Sequence, residues 1–150
     1  MSADISAPLA VRKSIVVSAP VERAFELFTD GVASWWPVGS HSIHGDEVET
    51  VVFEPHEGGR VYERAGGGRV EHWPFVRVYE PPSRIVLDWS VNPSRPTTEV
   101  EVRFVPDGEG TRVELVHSGF EAYGEDGAAS HESYDTGWDR VLGKFAEAAR

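Results

Sequence analysis

Hydrophobic and polar residues alternate along most of the chain after residue 48, which predicts a sheet of short strands. Six segments between residues 48 and 117 have alternating or apolar character. In the clearest of them, Val100, Val102 and Phe104 alternate with charged residues, as expected for a strand with one buried face. Residues 11–18 predict an additional strand near the start. The pattern therefore indicates a sheet of about seven strands.

Three helices are predicted around these strands. The first follows residue 18, with Ser18 as its expected N-cap, and the second is a short turn over residues 32–36 that ends before Pro37. The third runs from residue 130 or 131 to residue 149. Its apolar residues recur at helical spacing and form one stripe: Tyr134, Trp138, Val141, Leu142, Phe145 and Ala149.

The element order predicts an α+β fold of the helix-grip type. One strand, two short helices, six strands and a long helix are best accommodated by a strongly bent antiparallel sheet around the C-terminal helix. A single helix cannot fill the concave face of such a sheet, and an interior space lined by aromatic residues is the usual place for a small ligand. We expect one domain over residues 11–150 and a flexible leader over residues 1–10.

Composition narrows the range of partners. The chain of 150 residues has no cysteine, which excludes disulfides and cysteine-ligated zinc and fits a reducing compartment. It has neither a signal peptide nor a run of about 20 apolar residues, so we expect a cytoplasmic protein without membrane insertion. The net charge of −11 repels phosphate groups, and nucleic acid is not an expected partner.

Several short segments resemble the heat-shock-protein ATPase activator homologue family of the START-like, or SRPBCC, superfamily. The similar segments are FTDG at 28–31, WW at 35–36, GGRVYE at 58–63, YEPPSRIVLDW at 79–89, TRVELVHSGF at 111–120 and GWDRVL at 137–142. The resemblance covers about residues 11–145. It implies a Bet v-like helix-grip fold with a deep cavity, and a role in the stress response. It does not imply a ligand, because the superfamily includes lipid carriers, hormone receptors, cyclases and co-chaperone modules.

Aromatic residues on the expected inner faces are the candidate ligand contacts. Their rings offer broad apolar surface and an occasional N–H or O–H donor, which suits an amphipathic molecule. The same residues suit a filled core, and the sequence leaves both interpretations open. The predicted lining is Trp36, Tyr62, Trp73, Trp89, His117, Tyr134, Trp138 and Leu142.

Acid–base and metal chemistry have fewer candidates. His117 continues the inward face of its strand and is either a hydrogen-bonded core histidine or a general base. Glu63 is either a surface residue or a buried carboxylate with a raised pKa. His41 and His44, followed by Glu47, have spacings compatible with metal ligation, although a polar loop at the cavity mouth explains them equally well. We expect neither a metal nor a cofactor.

The sequence thus predicts a protein that binds a small hydrophobic or amphipathic molecule between its sheet and its C-terminal helix. One alternative is a cyclase- or hydrolase-type enzyme that uses the same cavity, with His117 or Glu63 handling protons. A second alternative is a chaperone-interacting module, as the resemblance implies, although the chain leaves no room for an additional chaperone-binding domain. We expect a monomer or a homodimer.

Overall fold

The computed structural model describes residues 10–36, 48–65, 70–89, 98–120 and 127–149. Within these ranges, the side chains of residues 33, 48–51, 63–65, 70–74, 127–130 and 133 are not described.

Seven strands form one antiparallel sheet, as predicted. In the order of the chain, they are β1 (Val11–Val17), β2 (Val48–Phe53), β3 (Arg60–Ala65), β4 (Val70–Glu80), β5 (Arg84–Trp89), β6 (Thr98–Asp107) and β7 (Gly110–Ser118). Their spatial order is β1-β7-β6-β5-β4-β3-β2, so that β1 crosses to the far edge and the remaining strands form a meander. The sheet curls into a half-barrel, which confirms the helix-grip prediction.

The helices occupy the expected places in the chain. Helix α1 (Val21–Phe28) and a 3₁₀ turn (Val32–Ser34) follow β1, and the long helix α2 (Gly127–Ala148) follows β7. None of the described helices is both long enough and apolar enough to cross a bilayer.

The alternation of polar and apolar residues in β6 and β7 places their buried side chains on one face. Val100, Val102 and Phe104 are buried in β6, and Val113, Leu115 and His117 are buried opposite them in β7. Helix α2 covers this face with its apolar stripe, of which Trp138, Val141, Leu142, Phe145 and Ala149 are buried. The core is therefore a single layer between the sheet and α2.

Helix α1 closes one end of this layer. Its residues Ala24, Phe25, Leu27 and Phe28 are buried. The Phe28 ring lies 5.1 Å from that of Phe145, and the Phe25 ring lies 5.2 Å from that of Phe104. Both pairs have the edge-to-face geometry that aromatic rings prefer.

Strand β4 contains two irregularities. Arg60 pairs with Phe75 while Tyr62 pairs with His72, so β4 has an extra residue near Pro74, where proline cannot donate a ladder hydrogen bond. A second register shift lies between Val76 and Val78. In a regular strand, residues three apart point to opposite faces. Because of this shift, Val76 is buried and Tyr79 also packs against the core.

Two predicted boundaries are wrong. Ser18 does not cap α1: Pro20 is the N-cap residue, and the Ser18 hydroxyl instead donates to the carbonyl of Ala149 at 3.3 Å. Helix α2 begins at Gly127, three residues before the earliest predicted start. The two alanines that follow Gly127 are strong helix formers, which favours this extension once the rest of the helix is packed on the sheet.

Candidate functional site

A narrow gap lies between the inner face of the sheet and α2. Its volume is about 20 Å³, which is roughly the space of one water molecule. A site for a small molecule usually measures about 300–1,000 Å³, so its described walls must move apart to admit a ligand there. The gap is lined by Phe28, Val32, Trp35, Trp36, Phe53, Val61, Leu87, Trp89, Val100 and Trp138.

Four tryptophans from three elements meet at this gap. Trp35 and Trp36 directly follow the 3₁₀ turn, Trp89 ends β5 and Trp138 lies on the inner stripe of α2. The Trp138 ring centroid is 5.4 Å from that of Trp89 and 6.5 Å from that of Trp36. The walls therefore consist largely of aromatic carbon surface.

Three of these tryptophans donate their indole N–H groups to acceptors that do not line the gap. Trp138 donates to Nδ1 of His117 at 3.0 Å, and Trp89 donates to the hydroxyl oxygen of Tyr134 at 3.2 Å. Trp35 donates to the carbonyl oxygen of Leu27 at 2.7 Å. The bonds satisfy buried donors, so that these three side chains present apolar ring carbon to the gap.

His117 lies behind this wall and is fully buried. Because an indole nitrogen can only donate, Nδ1 of His117 must accept, and the ring proton must be on Nε2. That N–H donates to the Thr98 hydroxyl oxygen at 2.7 Å, and the Thr98 hydroxyl in turn faces the carbonyl of Trp89 at 3.5 Å. The Trp138 N–H, the His117 ring, the Thr98 hydroxyl and the Trp89 carbonyl therefore follow one another in a continuous chain of polar contacts.

Burial lowers the pKa of His117 to about 3, because a charged imidazole would be poorly solvated there. The ring is therefore neutral at physiological pH, and both of its nitrogens are hydrogen-bonded. This geometry favours the core-histidine interpretation. Action as a general base would first require the bond from Trp138 to break.

Tyr134 and Leu142 occupy positions next to the gap rather than in its described lining. Tyr134 is half-buried, and its ring lies 4.6 Å from that of His117. Leu142 is buried in the core. Tyr62 is placed differently from the prediction: the neighbouring Val61 lines the gap, so Tyr62 lies on the outer face of β3, where Arg60 sits 5.8 Å from its ring centroid.

Several predicted residues lie outside the described part of the structure. The side chains of Trp73 and Glu63 are not described, nor are residues His41, His44 and Glu47. Among the described residues, no group of three histidine or acidic side chains could hold a metal ion.

Other residues at the site were not among the predicted contacts. Phe53 and Val61 line the gap from β2 and β3, where the inward face is set by strand pairing. Trp35 adjoins the predicted Trp36, and Leu87 shares the alternating face of Trp89, so both had a sequence signal. Thr98 had none, because its role depends on the pairing of β6 with β7, which places it near His117.

The sequence matches a known family. Residues 18–150 match the family model described as "Activator of Hsp90 ATPase homolog 1-like protein". The chain belongs to this family. Its fold is the ligand-binding type found in SRPBCC proteins. No curated protein matches the chain significantly.

Solved structures extend the comparison. The chain is 35% identical to an anthrahydroquino-gamma-pyrone synthase, Txn09, complexed with SUM; the match covers 92% of this chain and 95% of that one, with a TM-score of 0.62. It is 27% identical to CalC, a self-sacrificing resistance protein from Micromonospora echinospora, over 93% of each chain, with a TM-score of 0.69. Protein MLL2253 from Mesorhizobium loti, 20% identical over 92% of this chain and 94% of its own, has a TM-score of 0.69 and shows the shared fold alone.

Proposed function

We propose that this protein binds a small, flat aromatic molecule of the polyketide type between its sheet and α2. The observation that carries the proposal is the convergence of four tryptophans and two phenylalanines on one interior gap. The similarity to an anthrahydroquino-gamma-pyrone synthase supports the same class of molecule. Burial of aromatic surface would supply most of the affinity, at about 25 cal/mol for each Å² removed from water.

Ligand entry requires the gap to widen. Trp36 is half-buried, whereas Trp35, Trp89 and Trp138 are buried. Its indole packs against both Trp35 and Trp138, at centroid distances of 6.0 and 6.5 Å. Displacement of this less buried ring would open the gap without breaking the hydrogen bonds of the other three tryptophans.

The binding proposal is tested with tryptophan fluorescence and thermal unfolding. The probes are anthraquinone, cholesterol and oleate, which represent flat aromatic molecules, steroids and lipids. We expect anthraquinone to quench the fluorescence and raise the melting temperature, because a ligand that binds only the folded state stabilises it. Absence of a response to all three probes would contradict the proposal.

Two variants separate binding from stability. Trp138→Leu removes a wall of the gap and should abolish the response to anthraquinone. Phe104→Leu is the matched control, because Phe104 is equally buried but does not line the gap. It should lower the melting temperature while it retains the response.

A second candidate function is ring closure of a linear polyketide-like substrate in the same gap, which the 35% identity to a synthase favours. The proton-handling group would be His117, after release of its bond from Trp138, or Glu63. Loss of product formation in His117→Gln with retained binding of anthraquinone would support an enzyme. Unchanged turnover in that variant would exclude His117 from the reaction.

The family description also keeps a chaperone partner as a prediction. A pull-down with the middle domain of Hsp90 tests it, and absence of binding at micromolar concentration would contradict it. A cytoplasmic location, a single domain over residues 11–150, and a monomer or homodimer likewise stay predictions.

A further inference from the structure

Within the described lining of the gap, the side chains around Trp35, Trp89 and Trp138 offer a ligand almost no polar group. The N–H groups of Trp35, Trp89 and Trp138 are all bonded to atoms outside the lining. The other side chains of the described lining are hydrocarbon, apart from Trp36. A ligand hydroxyl placed against Trp35, Trp89 and Trp138 would lose its hydrogen bonds to water and find no replacement there.

His117 determines the orientation of one of these walls. Among the described residues, the Trp138 indole donates to Nδ1 of His117. The opposite ring nitrogen is anchored by Thr98, so the imidazole cannot turn over without breaking that bond. If His117 lost its acceptor, the indole N–H would be buried without a partner, which favours a rotated side chain.

On the basis of the proposed function, we propose that a flat aromatic ligand enters the interior gap with an unsubstituted hydrocarbon edge leading. The polar substituents of the ligand are confined to the part of the molecule that faces the half-buried Trp36. His117 is the positioning residue for this selectivity, because it holds the Trp138 N–H away from the gap. Selection thus acts on where the ligand carries its oxygen atoms.

Two probes of the same ring size test the proposal. 2-Naphthol has one hydroxyl, which can face the Trp36 end, whereas naphthalene-2,6-diol has hydroxyls at both ends and must bury one. We expect the diol to bind about tenfold more weakly than 2-naphthol, measured by quenching of tryptophan fluorescence. Equal affinities would overturn the proposal.

Variants of His117 separate this selectivity from the general cost of burying a second hydroxyl. In His117→Leu, the Trp138 N–H loses its acceptor and becomes available to the ligand. The ratio of the affinities for 2-naphthol and the diol should therefore fall from about tenfold to about threefold or less. His117→Asn can offer an oxygen close to the position of Nδ1 and should retain the ratio of the wild type. An unchanged ratio in a folded His117→Leu would overturn the role of His117.

The wild-type protein provides a test that does not depend on the folding of a variant. In NMR spectra with 2-naphthol bound, the ligand should show contacts to ring hydrogens of Trp138 and none to its indole N–H. A ligand contact to that N–H would overturn the inference while leaving the binding proposal intact. Failure of both naphthalene probes and of anthraquinone to bind would overturn both.

Discussion

At the scale of single residues, hydrogen bonding explains how a polar side chain is tolerated in the core. His117 is fully buried but has a partner on each ring nitrogen, Trp138 on one side and Thr98 on the other. A buried polar group costs free energy mainly when it lacks partners, so the network is stable only as a whole. Substitutions at either end therefore have specific consequences.

The dependence of stability on pH tests whether the buried His117 imidazole resists protonation. The unfolded chain binds a proton at His117 near its ordinary pKa of 6.5, whereas burial lowers the pKa of the folded state to about 3. Between these values only the unfolded state gains the proton, so stability falls as the pH decreases, by up to about 1.4 kcal/mol for each pH unit. We expect His117→Asn to lose this component, which urea unfolding at pH 4, 5.5 and 7 would measure.

The internal control for this prediction is the range from pH 7 to 8. Both proteins have a neutral side chain at position 117 there, so their dependence on pH should coincide. A wild-type slope below pH 6 that equals the slope of His117→Asn would contradict the prediction.

Removal of the Thr98 hydroxyl tests the other end of the network. Thr98→Val keeps the shape of the side chain but leaves Nε2–H of His117 without its acceptor, and should lower the free energy of unfolding by about 1–3 kcal/mol. Thr98→Ser keeps the hydroxyl and should cost less. Chemical unfolding of both variants measures the loss, and an unchanged free energy of unfolding in Thr98→Val would show that the hydroxyl contributes nothing.

At the scale of elements, an ion cluster joins the edge of the sheet to the long helix. Lys13 of β1 lies 3.0 Å from both Asp135 and Asp139 of α2. Burial lowers the pKa of Lys13, but its hydrogen bonds to the two carboxylates outweigh this effect and the pKa is raised overall. Although the two aspartates are largely exposed, the lysine is mostly covered, and the cluster links β1 to α2.

Loss of this cluster should have a modest effect that depends on salt. Lys13→Met is expected to lower the free energy of unfolding by at most about 1 kcal/mol at low ionic strength, and by less near 1 M salt, because exposed charges are screened. Lys144→Met, at an exposed position of the same helix, is the matched control. A loss in Lys13→Met that is independent of salt would assign its effect to packing.

At the scale of the whole molecule, one core joins the described elements. The buried side chains of the sheet, α1 and α2 form a single cluster, with Trp35 and Phe145 linking the helical elements at a centroid distance of 5.2 Å. Neither the concave sheet face nor the stripe of α2 is covered without the other. The interior gap is consequently a property of the assembled fold.

This shared core predicts cooperative unfolding. Tryptophan fluorescence reports the contact between the sheet and the helices, and far-ultraviolet circular dichroism reports their secondary structure. We expect the two signals to give the same urea midpoint, as in other small two-state domains. An earlier fluorescence transition would indicate that the layer around the gap separates before the secondary structure is lost.

The sequence by itself determined the elements and their order. The inward positions of β6 and β7 follow from strict alternation, and the stripe of α2 follows from helical spacing, because local periodicity records which side of an element is buried. The bulge near Pro74 was also predictable, since proline cannot donate a ladder hydrogen bond. The same reasoning placed Trp89 and Trp138 on inward faces, and both line the gap.

The tertiary structure alone decided what these residues do together. Tyr62 faces outward because the pairing of β3 places Val61 inward, and Thr98 reaches His117 only because β6 pairs with β7. The directions of the Trp89 and Trp138 N–H groups, the tautomer of His117 and the small volume of the gap depend on side chains distant in sequence. Hydrogen-bond partners and cavities are set by three-dimensional packing, and no local pattern of the chain specifies them.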